Sequence, residues 1–116
     1  MHLLLVDDEP SLLNLLGQHL QRHGHLVEQA ASVAEARLHL QVSFDAAIVD
    51  WTLLDGTGLD VALPLLASND KLQVIFTSGY PLDASVVPAA YRGRVHILQK
   101  PFLPRALAQI LNTLTL

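Results

Sequence analysis

The chain has 116 residues, of which 51% are hydrophobic and 16% charged, and its formal net charge at pH 7 is -4. An average soluble domain is about 25% charged, so this chain is less charged and more apolar than average. Its length fits one domain with a substantial core, and we predict one compact domain spanning residues 1–116. The seven Lys and Arg residues are scattered, which argues against direct nucleic-acid binding by this chain. Cysteine is absent, which excludes disulfides, a thiol nucleophile and a thiolate metal site.

The hydrophobic segments of the sequence are too short to cross a membrane. Each is interrupted by acids or by proline, whereas a spanning helix needs about 20 apolar residues. The first ten residues, MHLLLVDDEP, have neither the basic start nor the long apolar core of a signal peptide. We therefore expect a cytoplasmic protein without a membrane segment.

Five short apolar runs, each followed by polar or turn-forming residues, predict five buried β-strands. They comprise residues 2–6, 26–30, 46–49, 72–76 and 95–98. The second and fifth runs contain polar residues and therefore fit strands at the edges of a sheet. The other three runs are free of charge along their length, as expected of strands at the centre of a sheet.

The segments between these strands carry helical patterns. Pro10 suits the first turn of a helix, and Gly24 can end that helix in a left-handed conformation. The capping-box sequence Ser32–Glu35 predicts the start of a second helix. The inner face of this second helix is predicted to comprise Ala34, Leu38 and Val42.

Three more helices are predicted in the second half of the chain. They span about residues 58–67, a stretch between 82 and 91, and residues from 104 onward. Pro64 should kink or shorten the first of these. Pro88 and a poor apolar period argue against a long helix in the second stretch. Pro104 opens the last helix, whose leucines recur at helical spacing.

Strands that alternate with helices through short loops predict an α/β fold with a doubly wound parallel sheet and right-handed crossovers. The strand order 2-1-3-4-5 of flavodoxin-like proteins places the two polar strands at the edges. The sequence therefore predicts a five-stranded, flavodoxin-like (βα)5 fold with that order.

In this order, the carboxyl ends of the central strands bring polar groups to one rim of the sheet. The predicted rim contains Asp7, Asp8, Asp50 and Thr77, with Lys100 arriving from the fifth strand. Neighbouring carboxylates repel one another, and a hard cation such as Mg²⁺ would relieve the repulsion. Asp50 could then attack phosphorus as a carboxylate nucleophile, while Thr77 and Lys100 hold the phosphoryl oxygens.

The motifs at this rim resemble the receiver domain of bacterial two-component response regulators. They are Asp7-Asp8-Glu9-Pro10, Asp50 with LLDGTG at 53–58, Thr77-Ser78-Gly79 and Lys100-Pro101-Phe102. The resemblance implies that Asp50 accepts a phosphoryl group from a partner histidine kinase or phosphotransfer protein. It implies a regulatory phosphoacceptor, not an enzyme, that acts on an output domain or a partner protein.

The same resemblance implies how a metal ion is held. Asp8, Asp50 and the backbone carbonyl of Thr52 would bind Mg²⁺ directly, and Asp7 would bind it through water. The peptide bond between Lys100 and Pro101 would be cis, an isomer that proline tolerates.

Two positions depart from the family pattern. Leu54 stands where members usually carry proline. Ile97 stands where members carry a Tyr or Phe whose ring turns inward on phosphorylation, and Ile97 cannot give that ring signal. The alternative hypothesis is therefore a pseudo-receiver, which keeps the fold and binds a partner without being phosphorylated.

Other functions of this fold class fit the sequence less well. A flavodoxin-like flavin protein needs a Ser/Thr/Gly-rich phosphate loop after the first strand, where this chain has Asp7 and Asp8. An aspartyl-phosphate phosphatase usually has a D-x-D motif there, which the Asp7-Asp8 pair does not match. His19, His23 and His25 lie close in sequence, but no fourth ligand follows at the usual zinc spacing.

Overall fold

The computed structural model of the chain describes residues 1–114, so the last two residues of the predicted domain lie outside the described part. Five parallel strands form one sheet. They are β1 (His2–Val6), β2 (Leu26–Ala30), β3 (Ala46–Asp50), β4 (Gln73–Ser78) and β5 (Val95–Gln99). Their order across the sheet is β2-β1-β3-β4-β5, which confirms the predicted order and its polar edge strands.

Four α-helices cover the two faces of this sheet. They are α1 (Pro10–Arg22), α2 (Val33–Arg37), α3 (Gly58–Ser68) and α4 (Pro104–Thr113). Buried side chains of α1 and α4 pack on one face, and those of α2 and α3 pack on the other. This is the doubly wound arrangement predicted from the alternation of strands and helices. Within residues 1–114, no helix is both long and apolar enough to span a bilayer.

The first helix ends as its sequence predicts. Gly24 has a φ of 89°, and its N–H donates to the carbonyl of Gln21 at 3.0 Å. The N–H of His25 donates to the carbonyl of Leu20 at 3.2 Å. These two bonds form a Schellman motif, in which glycine at the left-handed position satisfies the last carbonyls of the helix.

The predicted inner face of the second helix is wrong at Ala34 and Leu38, whereas Val42 is partly buried and packs against the core, although it lies beyond the end of the helix. The buried residues of α2 are Val33 and Ala36, whereas Ala34 is exposed and Leu38 is 81% exposed. The Ser32 hydroxyl accepts the Glu35 N–H at 3.0 Å, so the helix begins at Val33. The helix ends at Arg37, so Leu38 and Val42 lie beyond it, and Val33 and Ala36 form its buried face.

The stretch between 82 and 91 is not an α-helix. It contains two 3-10 segments, Ala84–Val86 and Ala89–Arg94, which are separated by Pro88. Val87 is extended, with φ -112° and ψ 154°, as the residue before a proline prefers. Proline also has no N–H to continue a helical ladder. Regular helix therefore gives way to two short turns.

A further element was not predicted from the sequence. Residues Thr52–Leu53 pair with Gly56–Thr57 as a short antiparallel hairpin directly after β3. We call residues 52–57 the acceptor hairpin, because they follow Asp50. α3 begins at Gly58, immediately after the hairpin.

Candidate functional site

The polar residues predicted for the rim come together at the carboxyl ends of the strands. Asp50 and Thr77 are register partners in β3 and β4. Two residues earlier in each strand, Ile48 and Ile75 pack in the core under α1 and α4. Since side chains alternate along a strand, Asp50 and Thr77 face the same side of the sheet as these two isoleucines.

The ammonium group of Lys100 joins two of the acids. Its Nζ lies 3.1 Å from an oxygen of Asp7 and 3.1 Å from an oxygen of Asp50. Asp7 is 2% exposed and Asp50 is 7% exposed, so both carboxylates are buried. Lys100, which directly follows β5, thus bridges the carboxyl ends of the neighbouring strands β1 and β3.

Asp8 completes a group of three carboxylates. Asp7, Asp8 and Asp50 each offer an oxygen, and these oxygens lie within 4.8 Å of one another. Mg²⁺ binds oxygen ligands at about 2.0–2.1 Å, so two ligands on opposite sides of the ion are about 4.2 Å apart, and a small movement of these carboxylates would let them share one ion. The donors are all hard carboxylate oxygens, and Asp8 is partly exposed, which leaves room for water. The residues present therefore fit a magnesium ion.

The charges at the rim are only partly balanced. Burial raises the pKa of Asp50, the hydrogen bond from Lys100 opposes the increase, and the charge of Asp7 adds to it. Burial alone would lower the pKa of Lys100, but its bonds to Asp7 and Asp50 outweigh burial and raise that pKa. Lys100 therefore stays charged at neutral pH, yet a second cation would further stabilise ionised Asp50.

Backbone contacts fix the start of the acceptor hairpin beside Asp50. The N–H of Thr52 donates to Asp50 Oδ1 at 3.3 Å, and the N–H of Trp51 donates to the carbonyl of Thr77 at 2.8 Å. The carbonyl of Trp51 accepts the N–H of Gly58 at 2.8 Å. The role of the Thr52 carbonyl as a metal ligand stays a prediction.

Gly58, the last residue of the LLDGTG motif, has a steric role that the motif alone did not indicate. A Cβ at this position would lie 2.7 Å from the backbone carbonyl of Asp50 and 3.1 Å from the ring of Phe76. Only glycine allows α3 to begin this close to Asp50.

Ser78, next to Thr77, has a structural role in the described chain. Its hydroxyl donates to the carbonyl of Tyr80 at 2.7 Å and accepts the N–H of Tyr80 at 3.1 Å. The carbonyl of Ser78 accepts the N–H of Lys100 at 2.7 Å. Lys100 is thereby anchored to β4, and the bond between Lys100 and Pro101 is cis, as the resemblance implied.

The two unusual positions differ in their surroundings. Leu54 is 88% exposed in the acceptor hairpin. Ile97 is partly buried and packs against the core cluster under α2 and α3. Leu98, the next residue of β5, packs against the opposite cluster, under α1 and α4. Because side chains alternate along a strand, Ile97 faces the side of the sheet opposite to Asp50 and Thr77.

A sequence model of the family described as the response regulator receiver domain matches residues 3–112. The chain belongs to this family. Among its relatives, the receiver domain is 37% identical over 100 residues to the photosynthetic apparatus regulatory protein RegA of Cereibacter sphaeroides. It is 35% identical over 100 residues to the acid tolerance regulatory protein ActR of Rhizobium meliloti. Both alignments cover 85% of this chain but only 54% and 52% of those proteins, so the chain spans about half their length.

Solved structures show the same fold. A CheY-like receiver domain protein from Methanospirillum hungatei is 26% identical, with a TM-score of 0.84, and the match covers 96% of this chain and 90% of that one. The chemotaxis protein CheY4 of Vibrio cholerae has a TM-score of 0.82 at 24% identity, covering 98% of both chains. In this family context, the acidic pocket of the receiver domain fits a phosphoacceptor role.

Proposed function

We propose that this receiver domain accepts a phosphoryl group on Asp50, in a Mg²⁺-dependent reaction with a partner histidine kinase or phosphotransfer protein. The observation that carries the proposal is the convergence of Lys100 and two other carboxylates, those of Asp7 and Asp8, on the buried Asp50. A pure binding module has no need to bury Asp50 beside Asp7, since their repulsion opposes folding. A site that must bind a cation and a phosphoryl group does need these charges.

The proposed reaction is an in-line phosphoryl transfer. An oxygen of the Asp50 carboxylate forms a bond to phosphorus while the bond from phosphorus to the donor's leaving group breaks. Mg²⁺ held by Asp7, Asp8, Asp50 and the Thr52 carbonyl would neutralise charge on the phosphoryl oxygens. Lys100 and the Thr77 hydroxyl hold those oxygens, and the Lys100 ammonium already lies within hydrogen-bond distance of Asp50.

The domain is proposed to act as a regulatory phosphoacceptor that assists its own phosphorylation and dephosphorylation. A phosphoryl group adds about -1.5 to -2 charges at neutral pH, which would change contacts with an output domain or partner protein. We place this receiver unit, residues 1–116, in the cytoplasm, where kinases draw their phosphoryl groups from ATP. The low number of basic residues supports a role without direct nucleic-acid contact by this chain.

Incubation with acetyl phosphate, read by intact-protein mass, tests this function. With Mg²⁺, the wild type should gain the mass of one phosphoryl group, and Asp50→Ala should gain none. Asp83→Ala, which removes an exposed aspartate from another loop, should be labelled like the wild type. Chelation of Mg²⁺ should suppress labelling.

The second candidate function is a pseudo-receiver, which Ile97 favours because no aromatic ring stands at that position. Wild-type protein that stays unmodified at saturating acetyl phosphate and Mg²⁺, while remaining folded, would establish the pseudo-receiver and exclude the phosphoacceptor.

A further inference from the structure

Asp55 lies in the turn of the acceptor hairpin, and its carboxylate joins the hairpin to α2. Oδ1 accepts the N–H of Val33 at 2.8 Å, and Oδ2 accepts the N–H of Ala34 at 3.1 Å. These two bonds lower the pKa of Asp55, so the group is ionised at neutral pH and both bonds are charge-assisted. An aspartate in the hairpin turn thus contacts a helix that is distant in sequence.

The hairpin and α2 are also closely packed. A Cβ on Gly56 would lie 3.2 Å from Cγ2 of Val33 and 2.6 Å from a carboxylate oxygen of Asp60. That Asp60 oxygen accepts the N–H of Thr57 at 3.0 Å. The far end of the hairpin is therefore held between α2 and α3.

The near end of the same hairpin forms part of the acceptor site. Thr52 pairs with Thr57, and Leu53 pairs with Gly56, so Asp55 is separated from Thr52 by only one rung and the turn. Thr52 donates its N–H to Asp50, and its carbonyl is the predicted backbone ligand of Mg²⁺. A shift of the turn would therefore be transmitted to the backbone beside Asp50.

We propose that Asp55 is a positioning residue for the acceptor site: by tying the hairpin to α2, it holds the Thr52 backbone in the geometry that binds Mg²⁺ next to Asp50. This inference rests on the proposed phosphoacceptor function. It assigns Asp55 no contact with the ion or the phosphoryl group. Its effect passes through the hairpin, whose two ends are fixed by the two sets of bonds just described.

The Mg²⁺ dissociation constant tests the inference without any phosphorylation. Trp51 is the single tryptophan and neighbours Asp50, so its fluorescence and the Thr52 amide resonance can follow a Mg²⁺ titration. Asp55→Ala should bind Mg²⁺ about five-fold more weakly, as expected from loss of a backbone cap of ordinary strength. Asp55→Asn should lose less, because its amide oxygen can keep one of the two bonds.

Asp83→Ala provides the matched control. Asp83 is also exposed and also accepts a backbone N–H, that of Ser85 at 2.8 Å, but it lies in a different loop. The substitution removes the same charge and a similar cap, so its Mg²⁺ affinity should equal that of the wild type. Far-ultraviolet circular dichroism at the titration temperature verifies that each variant is folded.

The outcomes separate this inference from the proposed function. If wild type binds Mg²⁺ and is phosphorylated, but Asp55→Ala and Asp55→Asn bind Mg²⁺ as tightly as Asp83→Ala does, the positioning role of Asp55 is refuted and the phosphoacceptor function stands. If the wild type neither binds Mg²⁺ nor is phosphorylated, the proposed function fails and the inference falls with it.

Discussion

Two regions of this receiver domain use basic side chains in opposite ways. At the acidic rim, formed by Asp7, Asp8, Asp50 and Lys100, one ammonium bridges buried carboxylates and leaves negative charge in excess. In the segment of residues 79–94, arginines donate to backbone carbonyls and contact no carboxylate within 4 Å among the described residues. The first arrangement leaves an acidic site that fits a cation, whereas the second attaches the 79–94 segment to the end of α3.

The arginine contacts show how the 79–94 segment is held. The Arg94 guanidinium donates to the carbonyls of Leu66, Asn69 and Leu72 at 3.0, 2.6 and 3.3 Å, respectively. These carbonyls lie in the last turn of α3 and just beyond it, where the helix dipole favours a cation. Arg94 thus stabilises the end of α3, and its guanidinium is engaged by carbonyl groups of the same domain.

Loss of the rim lysine should have the largest effect. Lys100→Met leaves the buried Asp7 and Asp50 without a cationic partner. We expect the unfolding free energy without Mg²⁺ to fall by about 2 kcal/mol, a value reduced for solvent screening because the lysine side chain is 23% exposed. The rate of phosphorylation by acetyl phosphate should fall roughly 100-fold, as for loss of one oxyanion donor. Urea unfolding and time-resolved intact mass measure the two effects.

Lys100→Arg is the control for that substitution. It keeps the positive charge but changes the shape of the donor, so it should retain more stability than Lys100→Met. A Lys100→Met protein that is phosphorylated at the wild-type rate would contradict the assigned role of the ammonium group.

Substitution of Arg94 should lower the stability of the protein without changing the Mg²⁺ affinity of the acidic rim. Arg94→Gln removes charge-assisted bonds to three carbonyls, and we expect a loss of about 2 kcal/mol in unfolding free energy. The Mg²⁺ affinity should stay unchanged to within about two-fold, because distant sites act almost independently. Arg92→Gln, at an exposed arginine that bonds the carbonyls of Ala84 and Val87, should cost less. A large loss of Mg²⁺ affinity in folded Arg94→Gln would show that the regions are coupled.

The pH dependence of stability should carry a contribution from Asp50. Burial raises its pKa in the folded state, so the folded protein holds this proton more tightly than the unfolded chain does. Without Mg²⁺, the Asp50 contribution is therefore present below the unfolded pKa of about 3.9 and is lost as pH rises through the folded pKa.

Comparison with Asp50→Asn isolates this contribution from that of the other carboxylates. The stability of wild type relative to Asp50→Asn should fall as pH rises from about 4 toward neutrality, and Mg²⁺ should reverse the fall by binding the ionised form. A difference that stays constant with pH would mean that the Asp50 carboxylate is as well stabilised in the folded protein as in water.

The smallest effect is expected at Ile97. Ile97→Tyr places an aromatic ring where family members carry one, at a partly buried position on the face opposite to Asp50. Overpacking should cost about 1 kcal/mol or less, because the site is open to solvent on one side. The phosphorylation rate should not change. A large change in that rate would show that Ile97 and the acidic rim are energetically coupled.

The features that the sequence predicted depend on short-range pattern and on the geometry of parallel sheets. The apolar runs located the strands, and the carboxyl ends of the strands brought Asp7, Asp50 and Lys100 together. The errors depend on contacts that periodicity does not contain. α2 ends at Arg37, before the Leu38 and Val42 expected on its inner face, and the contact between Asp55 and Val33 joins residues 22 positions apart. In the 79–94 segment, prolines prevented a regular helix while Arg94 supplied an alternative anchor.

The most direct test of the account is chemical trapping of the modified residue. An aspartyl phosphate is reduced by borohydride to homoserine, so wild-type protein treated with acetyl phosphate and Mg²⁺, reduced and digested, can be sequenced by mass spectrometry. The account predicts homoserine at position 50 only, and none when Mg²⁺ is chelated. Homoserine at position 7 or 8, or its absence from a folded protein in the presence of Mg²⁺, would contradict the assignment of Asp50 as the phosphoryl acceptor.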